Sequence, residues 1–386
     1  MVSVVLALGV VGCGSGSSST DAQLAPPVPY TYRVPQQLND GWQTAHLQDV
    51  GIDSNLLTDL INKIRHQVPG YHLIDSVLIV KDGMLVFDER TRTQFDRFDE
   101  IIDNHNLDLH IMNSVTKSFA STAVGIAIDQ GYIPGIDAPV HDYFVDKMPI
   151  DNFTPEKQSI TLVDWLTMRA GYQWDEWTIP YLDPNNQINR MSNSADPIQF
   201  LLDQPMATTP GTTFVYNSGV SHVIGSLLER ATGQSVATYM NQTVFQPLNI
   251  QTFDYYTVGG QFFTGGGLYL TTRDMAKLGQ LFLDGGEWNG VRVVSEAWVN
   301  EATATHVQFT TAPGGYGLHW WTGTFNYDGN VVSSFRAVGF GGQYVIVIPA
   351  LRLVVAMTGH AFMASEGNLR NTVDVVQDYV LPSIRG

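Results

Sequence analysis

Asn113-Ser114-Val115-Thr116-Lys117-Ser118-Phe119 is the stretch on which the reading of this chain turns. It opens an apolar run through Ala123, Ile126 and Ala127, with Gly131 in the C-cap role, so Ser114 to Gln130 is predicted to be a helix. Three-residue spacing puts the Ser114 hydroxyl and the Lys117 ammonium on one helical face, a turn apart. A serine becomes a nucleophile when a base takes its proton, and a lysine serves as that base only if burial or a neighbouring cation lowers its pKa. The helix N-terminus adds N–H groups and positive potential where an oxyanion would develop. A capping serine followed by a surface lysine has the same spacing. Two features favour chemistry. Of the six lysines, Lys117 alone has a serine three positions before it, among Ala, Ile and Val where a solvated lysine is out of place. Downstream, Pro210 to Phe214 leads into Tyr216-Asn217-Ser218, and a tyrosine there serves as general base or acid once cations favour its phenolate; any of the 16 tyrosines can equally be a core residue.

Outward from this helix, Thr161 to Arg169 and Ser221 to Thr232, the latter closed by Gly233, also carry helical signals. Ile52 to Gln67 has helical spacing, with Leu56, Leu57, Leu60, Ile61 and Ile64 on one side. Ser76 to Val80 and Met84 to Asp88 read as strands joined by Lys81-Asp82-Gly83, a hairpin turn signal. Tyr344 to Ile348 and Leu353 to Met357 repeat that pattern around Pro349, and a last helix is predicted from about Asn368 to Val380. Strands from both ends of the chain, flanked by N- and C-terminal helices, predict an α/β fold with one antiparallel sheet and an all-α subdomain, the active site lying between them. The sheet subdomain is expected at about 38–105 and 300–386, and the helical one at about 115–260.

The 386 residues are 44% apolar and 11% aromatic, enough for a sizeable core and unlike a disordered chain. With 37 acidic against 20 basic residues the formal charge is −17, which repels phosphate backbones and excludes nucleic acid as the expected partner. The single cysteine, Cys13, excludes an intramolecular disulfide and thiol catalysis in the globular part. It follows an apolar run resembling the core of a signal peptide, and Val10-Val11-Gly12-Cys13 resembles a bacterial lipobox. The Gly, Ser and Thr of residues 14–20 then read as a tether, and residues 1–37 as signal region and linker ahead of a hydrolase domain at 38–386. The expectation is an exported bacterial protein, periplasmic or held to the membrane only by a lipid on Cys13; an ordinary signal peptide with an incidental cysteine is the alternative. Ten histidines form no His-Glu-x-x-His pattern, so no metal site is expected, and His110 reads as structural.

Several ordered stretches resemble the serine β-lactamase and DD-peptidase superfamily, on the class C β-lactamase-like branch that also holds esterases and 6-aminohexanoate-dimer hydrolases. They are Asn113 to Phe119, Leu166-Thr167-Met168-Arg169-Ala170-Gly171, Pro210 to Ser218, Gly266 to Ala276 and Trp288-Asn289-Gly290. The resemblance implies a β-lactamase/transpeptidase-like fold without a cofactor. It implies that Ser114 is acylated, that Lys117 and Tyr216 share base and acid duties, and that water hydrolyses the acyl-enzyme. Two departures bear on substrate. Ser218 stands where a Tyr-x-Asn would carry asparagine, and Ala337-Val338-Gly339 stands where Lys-Thr-Gly or His-x-Gly would supply a cation for a substrate carboxylate. Arg336 is next door, although strand alternation points it to the opposite face. Ala337 to Gln343 is similar to the nylon-oligomer hydrolase side of the branch, which implies an oxyanion hole from the backbone N–H groups of Ser114 and Phe340. The glycines there suit both a bulged edge strand and close approach of backbone to a ligand.

Ser218, Tyr172, Gly339 and Gly341 are accordingly expected to contact substrate. Trp174, Asp175, Glu176 and Trp177 are expected either to line the pocket, a carboxylate there holding a substrate amine, or to form a surface loop. The activity expected is hydrolysis of a small amide or ester. β-Lactamase or DD-carboxypeptidase activity, and a non-catalytic envelope lipoprotein binding peptides or cell-wall fragments, are the rivals.

Overall fold

The computed structural model describes residues 28–102, 106–311, 313–363 and 372–385, so the lipobox and Cys13 lie outside the described residues. The Asp-Gly signal makes the hairpin: Asp82 and Gly83 take φ of 54° and 79°, and Lys81 pairs directly with Met84. Strands Ile74–Lys81 and Met84–Arg90 result. They join a nine-stranded sheet whose order runs Gln43–Thr44, Met84–Arg90, Ile74–Lys81, Leu353–Gly359, Gln343–Ile348, Asn330–Gly339, Trp321–Tyr327, Gly315–Tyr316 and Val307–Gln308. Every pairing is antiparallel except that of Gln43–Thr44, which lies parallel to Met84 and Leu85. The expected antiparallel sheet is therefore present, with one short parallel strand added at its edge. A helix, Ser54–Arg65, separates that edge strand from the hairpin, and such a connection permits parallel pairing where a tight turn does not.

One sheet face is covered by the two ends of the chain. Leu57, Leu60 and Ile64 from Ser54–Arg65, with Val375, Val376 and Val380 near the C-terminus, bury Val77, Ile79, Ile346 and Val355. The C-terminal helical turns are described from Thr372; residues 368–371 of the predicted helix lie outside the described residues. Helix Thr272–Leu283 covers the other face. It approaches closely because position 279 is glycine: a Cβ there would sit 2.6 Å from methyls of Val345 and Val354. On this side Leu78, Val80, Val345 and Ala356 share one apolar cluster with Phe119 and Ala123 of helix Val115–Asp129, and with Val223 and Leu227 of helix Ser218–Thr232. Both helices are therefore held to the sheet through a common core, and their N-termini open on one cleft.

Candidate active site

A short strand, His110–Ile111, runs into the turn that presents Ser114. Asn113 sits there at φ 45°, a left-handed conformation that asparagine tolerates better than most residues and that costs on the order of 1 kcal/mol or more. Its side-chain amide donates to the Phe340 carbonyl at 2.7 Å, which ties the turn to the end of strand Asn330–Gly339. Glycine at 339 is required by this contact, since a Cβ would overlap the Met112 carbonyl. The arrangement brings Ser114 and Phe340 to one wall, with Gly339 and Gly341 beside them. Helix Val115–Asp129 starts one residue after Ser114, whose side chain makes no capping bond. The capping-serine alternative therefore falls.

The Ser114 hydroxyl instead accepts a hydrogen bond from Lys117 Nζ at 2.8 Å. Lys117 is 1% exposed, and its ammonium also reaches Ser218 Oγ at 3.0 Å and the Gly265 carbonyl at 2.6 Å. Burial lowers its pKa from the usual lysine value to about 7, with the charge of Glu176 opposing that shift. Tyr216 is buried opposite, its ring 5.0 Å from Lys117 Nζ. Burial and the Glu176 charge push its phenol upward, against a hydrogen bond with Ser114 that lowers it. The expected phenolate favoured by cations is thus corrected: Tyr216 is protonated at neutral pH while Lys117 is the group that titrates there. The tyrosine ring is sandwiched between Trp177 at 5.2 Å and Trp321 at 5.9 Å, both stacked.

The loop after Gly171 lines the cleft through Trp177, but its carboxylates are placed otherwise than expected. Glu176 is 1% exposed and accepts from Trp174 Nε1 and the Ser218 N–H at 2.7 Å on one oxygen, and from Ser218 Oγ at 2.7 Å and Tyr181 OH at 2.9 Å on the other. Asp175 closes a local turn onto Thr178. Neither carboxylate is placed to hold a substrate amine. Tyr172 is 2% exposed inside the main core and lines neither lobe of the cleft. Its side chain follows the strand-like pairing of Tyr172 with Met206, which turns it inward. Ser218 does border the cleft, but its hydroxyl is already committed to Lys117 and Glu176. Ala337 is buried in the core, and Arg336, on the opposite strand face, lines neither lobe. His110 is structural, with Nε2 2.9 Å from Asp75 Oδ2.

Trp177, from the loop expected either to line the pocket or to lie at the surface, lines the smaller lobe; Tyr181 and Trp321 are site residues that motif spacing missed, and the part played by the Gly265 carbonyl was not read. Gly265 stood in a glycine run adjoining a recognised stretch, which was the available signal; its carbonyl's role depends on the fold. The cleft has two lobes meeting at Ser114, Tyr181 and Phe340, of about 620 Å3 and 330 Å3. Tyr181 and Phe340 lean together at 5.1 Å where the lobes join. Arg97, at the larger lobe, is the single charged side chain lining either among the described residues.

A sheet flanked by terminal helices, with a helical layer across a Ser–Lys–Tyr centre, is the β-lactamase/transpeptidase-like fold. The chain belongs to the Beta-lactamase family, which it matches over residues 65–375. It is 29% identical over 276 residues to a 6-aminohexanoate-dimer hydrolase of Paenarthrobacter ureafaciens, covering 64% of this chain and 65% of that protein. It is 26% identical over 148 residues to a lovastatin esterase of Penicillium rubens, covering 36% of this chain and 35% of that one. The chain thus spans less than two thirds of the length of these two relatives. The crystal structure of a family VIII carboxylesterase superposes with a TM-score of 0.59 at 17% identity, covering 79% of this chain and 90% of that one.

Proposed function

We propose that this protein hydrolyses a small amide or ester through an acyl-enzyme on Ser114. The observation that carries the reading is the buried Lys117 Nζ, 2.8 Å from the serine oxygen, with its pKa lowered to about 7. Neutral Lys117 takes the hydroxyl proton as Ser114 attacks the carbonyl carbon, and the N–H groups of Ser114 and Phe340 receive the oxyanion. The Tyr216 phenol gives its proton to the leaving oxygen or nitrogen and is reprotonated at the expense of the Lys117 ammonium. Water then attacks the acyl carbon, the same groups move its proton, and Ser114 is released. Aromatic walls, with Arg97 the single charged side chain among the described lining residues, support a neutral, largely apolar substrate. The names of the relatives, a lovastatin esterase and a 6-aminohexanoate-dimer hydrolase, support the same class.

The test is a panel of p-nitrophenyl esters, linear amides and a chromogenic cephalosporin, run on wild type and Ser114→Ala. Loss of all turnover in the variant is expected, and retained turnover would overturn the reading. Turnover confined to the cephalosporin would replace it with the β-lactamase alternative. The lipobox resemblance supports an envelope location, for which Cys13→Ser is expected to abolish membrane association in cell fractions.

A further inference from the structure

Glu176 lines neither lobe of the cleft, yet four hydrogen bonds from Trp174, Tyr181 and Ser218 occupy both its carboxylate oxygens. We propose that Glu176 is a positioning residue: it locks the Ser218 hydroxyl as an acceptor, and so aims the lone pair of neutral Lys117 at Ser114. The inference rests on the acyl-enzyme reading.

The argument is one of donors and acceptors. An ionised carboxylate only accepts, and a serine hydroxyl has one proton. The 2.7 Å bond from Ser218 Oγ to Glu176 Oε1 therefore consumes that proton, and what Ser218 presents to Lys117 is a lone pair. Neutral lysine has two N–H bonds and one lone pair. Its three neighbours are the Gly265 carbonyl at 2.6 Å, Ser218 Oγ at 3.0 Å and Ser114 Oγ at 2.8 Å. A carbonyl can only accept, and Glu176 makes Ser218 an acceptor too. The two N–H bonds point at these, leaving the lone pair for the Ser114 proton. Without Glu176 the Ser218 proton is free to turn towards Lys117 and compete for that lone pair.

The same carboxylate sets the proton affinity of the lysine. Glu176 supports the ammonium against burial. Arg97 lines the larger lobe; among the described residues packed around Lys117 and Tyr216, burial raises the phenols of Tyr216, Tyr181 and Tyr316, which are neutral at pH 7. His319, whose Nδ1 lies 3.3 Å from the Lys117 carbonyl, is lowered to about 3.

Positioning and charge act in opposite directions at neutral pH, which makes them separable. Glu176→Gln keeps shape and removes the charge, so the acidic limb of kcat/KM, which follows Lys117, is expected to move down by about one pH unit. Charge loss alone would raise activity at pH 7, because more Lys117 would be neutral. Positioning instead predicts that kcat on the high-pH plateau falls about 10–100-fold with KM within about twofold. Ser218→Ala keeps the charge and removes the bridge. It is expected to lower the plateau similarly while leaving the limb nearly in place, and the double variant is expected to be no slower than the slower single variant. This second variant carries the test if Glu176→Gln fails a thermal-unfolding check. Ser114-dependent turnover with plateau and limb both unmoved in Glu176→Gln, or additive losses in the double variant, would overturn this inference alone. A wild-type protein with no Ser114-dependent turnover and no fluorophosphonate labelling would overturn it together with the acyl-enzyme reading.

Discussion

Two lysines of this chain are equally hidden, and only one is placed to do chemistry. Lys157 is 0% exposed and Lys117 is 1% exposed. Burial lowers the pKa of both. Lys157 Nζ donates to the carbonyls of Asp151 and Leu202 at 2.7 and 2.8 Å and lies 5.8 Å from the Tyr172 ring. Its hydrogen-bond acceptors are carbonyls, which have no proton to give, and it lines neither lobe of the cleft. Lys117 has one backbone carbonyl and two hydroxyls, one of them at the junction of two lobes. A third lysine, Lys277, is buried on Asp274 and the Asn249 carbonyl. Burial of a lysine is thus a common solution in this protein for joining segments, and the mark of a base is what stands at the third hydrogen-bond position.

The comparison can be broken by substitution. The largest effect is expected from Lys117→Ala, which should lower kcat/KM on the best panel ester by about 10²–10⁴-fold while leaving the fold intact by circular dichroism. Tyr216→Phe should cost somewhat less, about 10²-fold in kcat, with a larger loss on amides than on activated esters because only the amide leaving group must be protonated. Lys157→Met should leave kcat/KM within about twofold and lower stability by about 1–3 kcal/mol, read from the urea midpoint, since two buried carbonyls lose their donor. A Lys157 variant that lost activity at full stability would break the contrast.

The pH profile sharpens it. The Lys117 pKa is depressed, so the active neutral form is lost as pH falls through about 7, and kcat/KM should drop tenfold per pH unit below that point. Lys157→Met should not move this limb. Among the cleft substitutions the smallest effect is expected from Trp177→Ala. Trp177 is 58% exposed and stacks on Tyr216, so its loss should raise KM about 2–10-fold with little change in kcat.

What could be read along the chain followed the range of the interaction involved. The Asp82-Gly83 hairpin and the helix over Ser54–Arg65 were legible because turn conformation and helical periodicity act over a few neighbours. The parallel edge strand Gln43–Thr44 was not, for two residues carry no pattern and their pairing is made by backbone bonds. In the site, Ser114, Lys117 and Tyr216 stood in recognisable stretches. Tyr172 and Glu176 were misassigned because the loop after Gly171 has no periodicity, and the direction of each of its side chains depends on which distant surface it meets.

The residues Ser114 and Lys117 were brought together by sequence alone, since one helical turn separates them in any fold that makes the helix. The proposed choice of Lys117 over Tyr216 as the base rests on tertiary structure. Protonation depends on desolvation and on charges within a few ångströms; burial and Glu176 supply these, and only the packing of the helical layer against the sheet brings them to the same place.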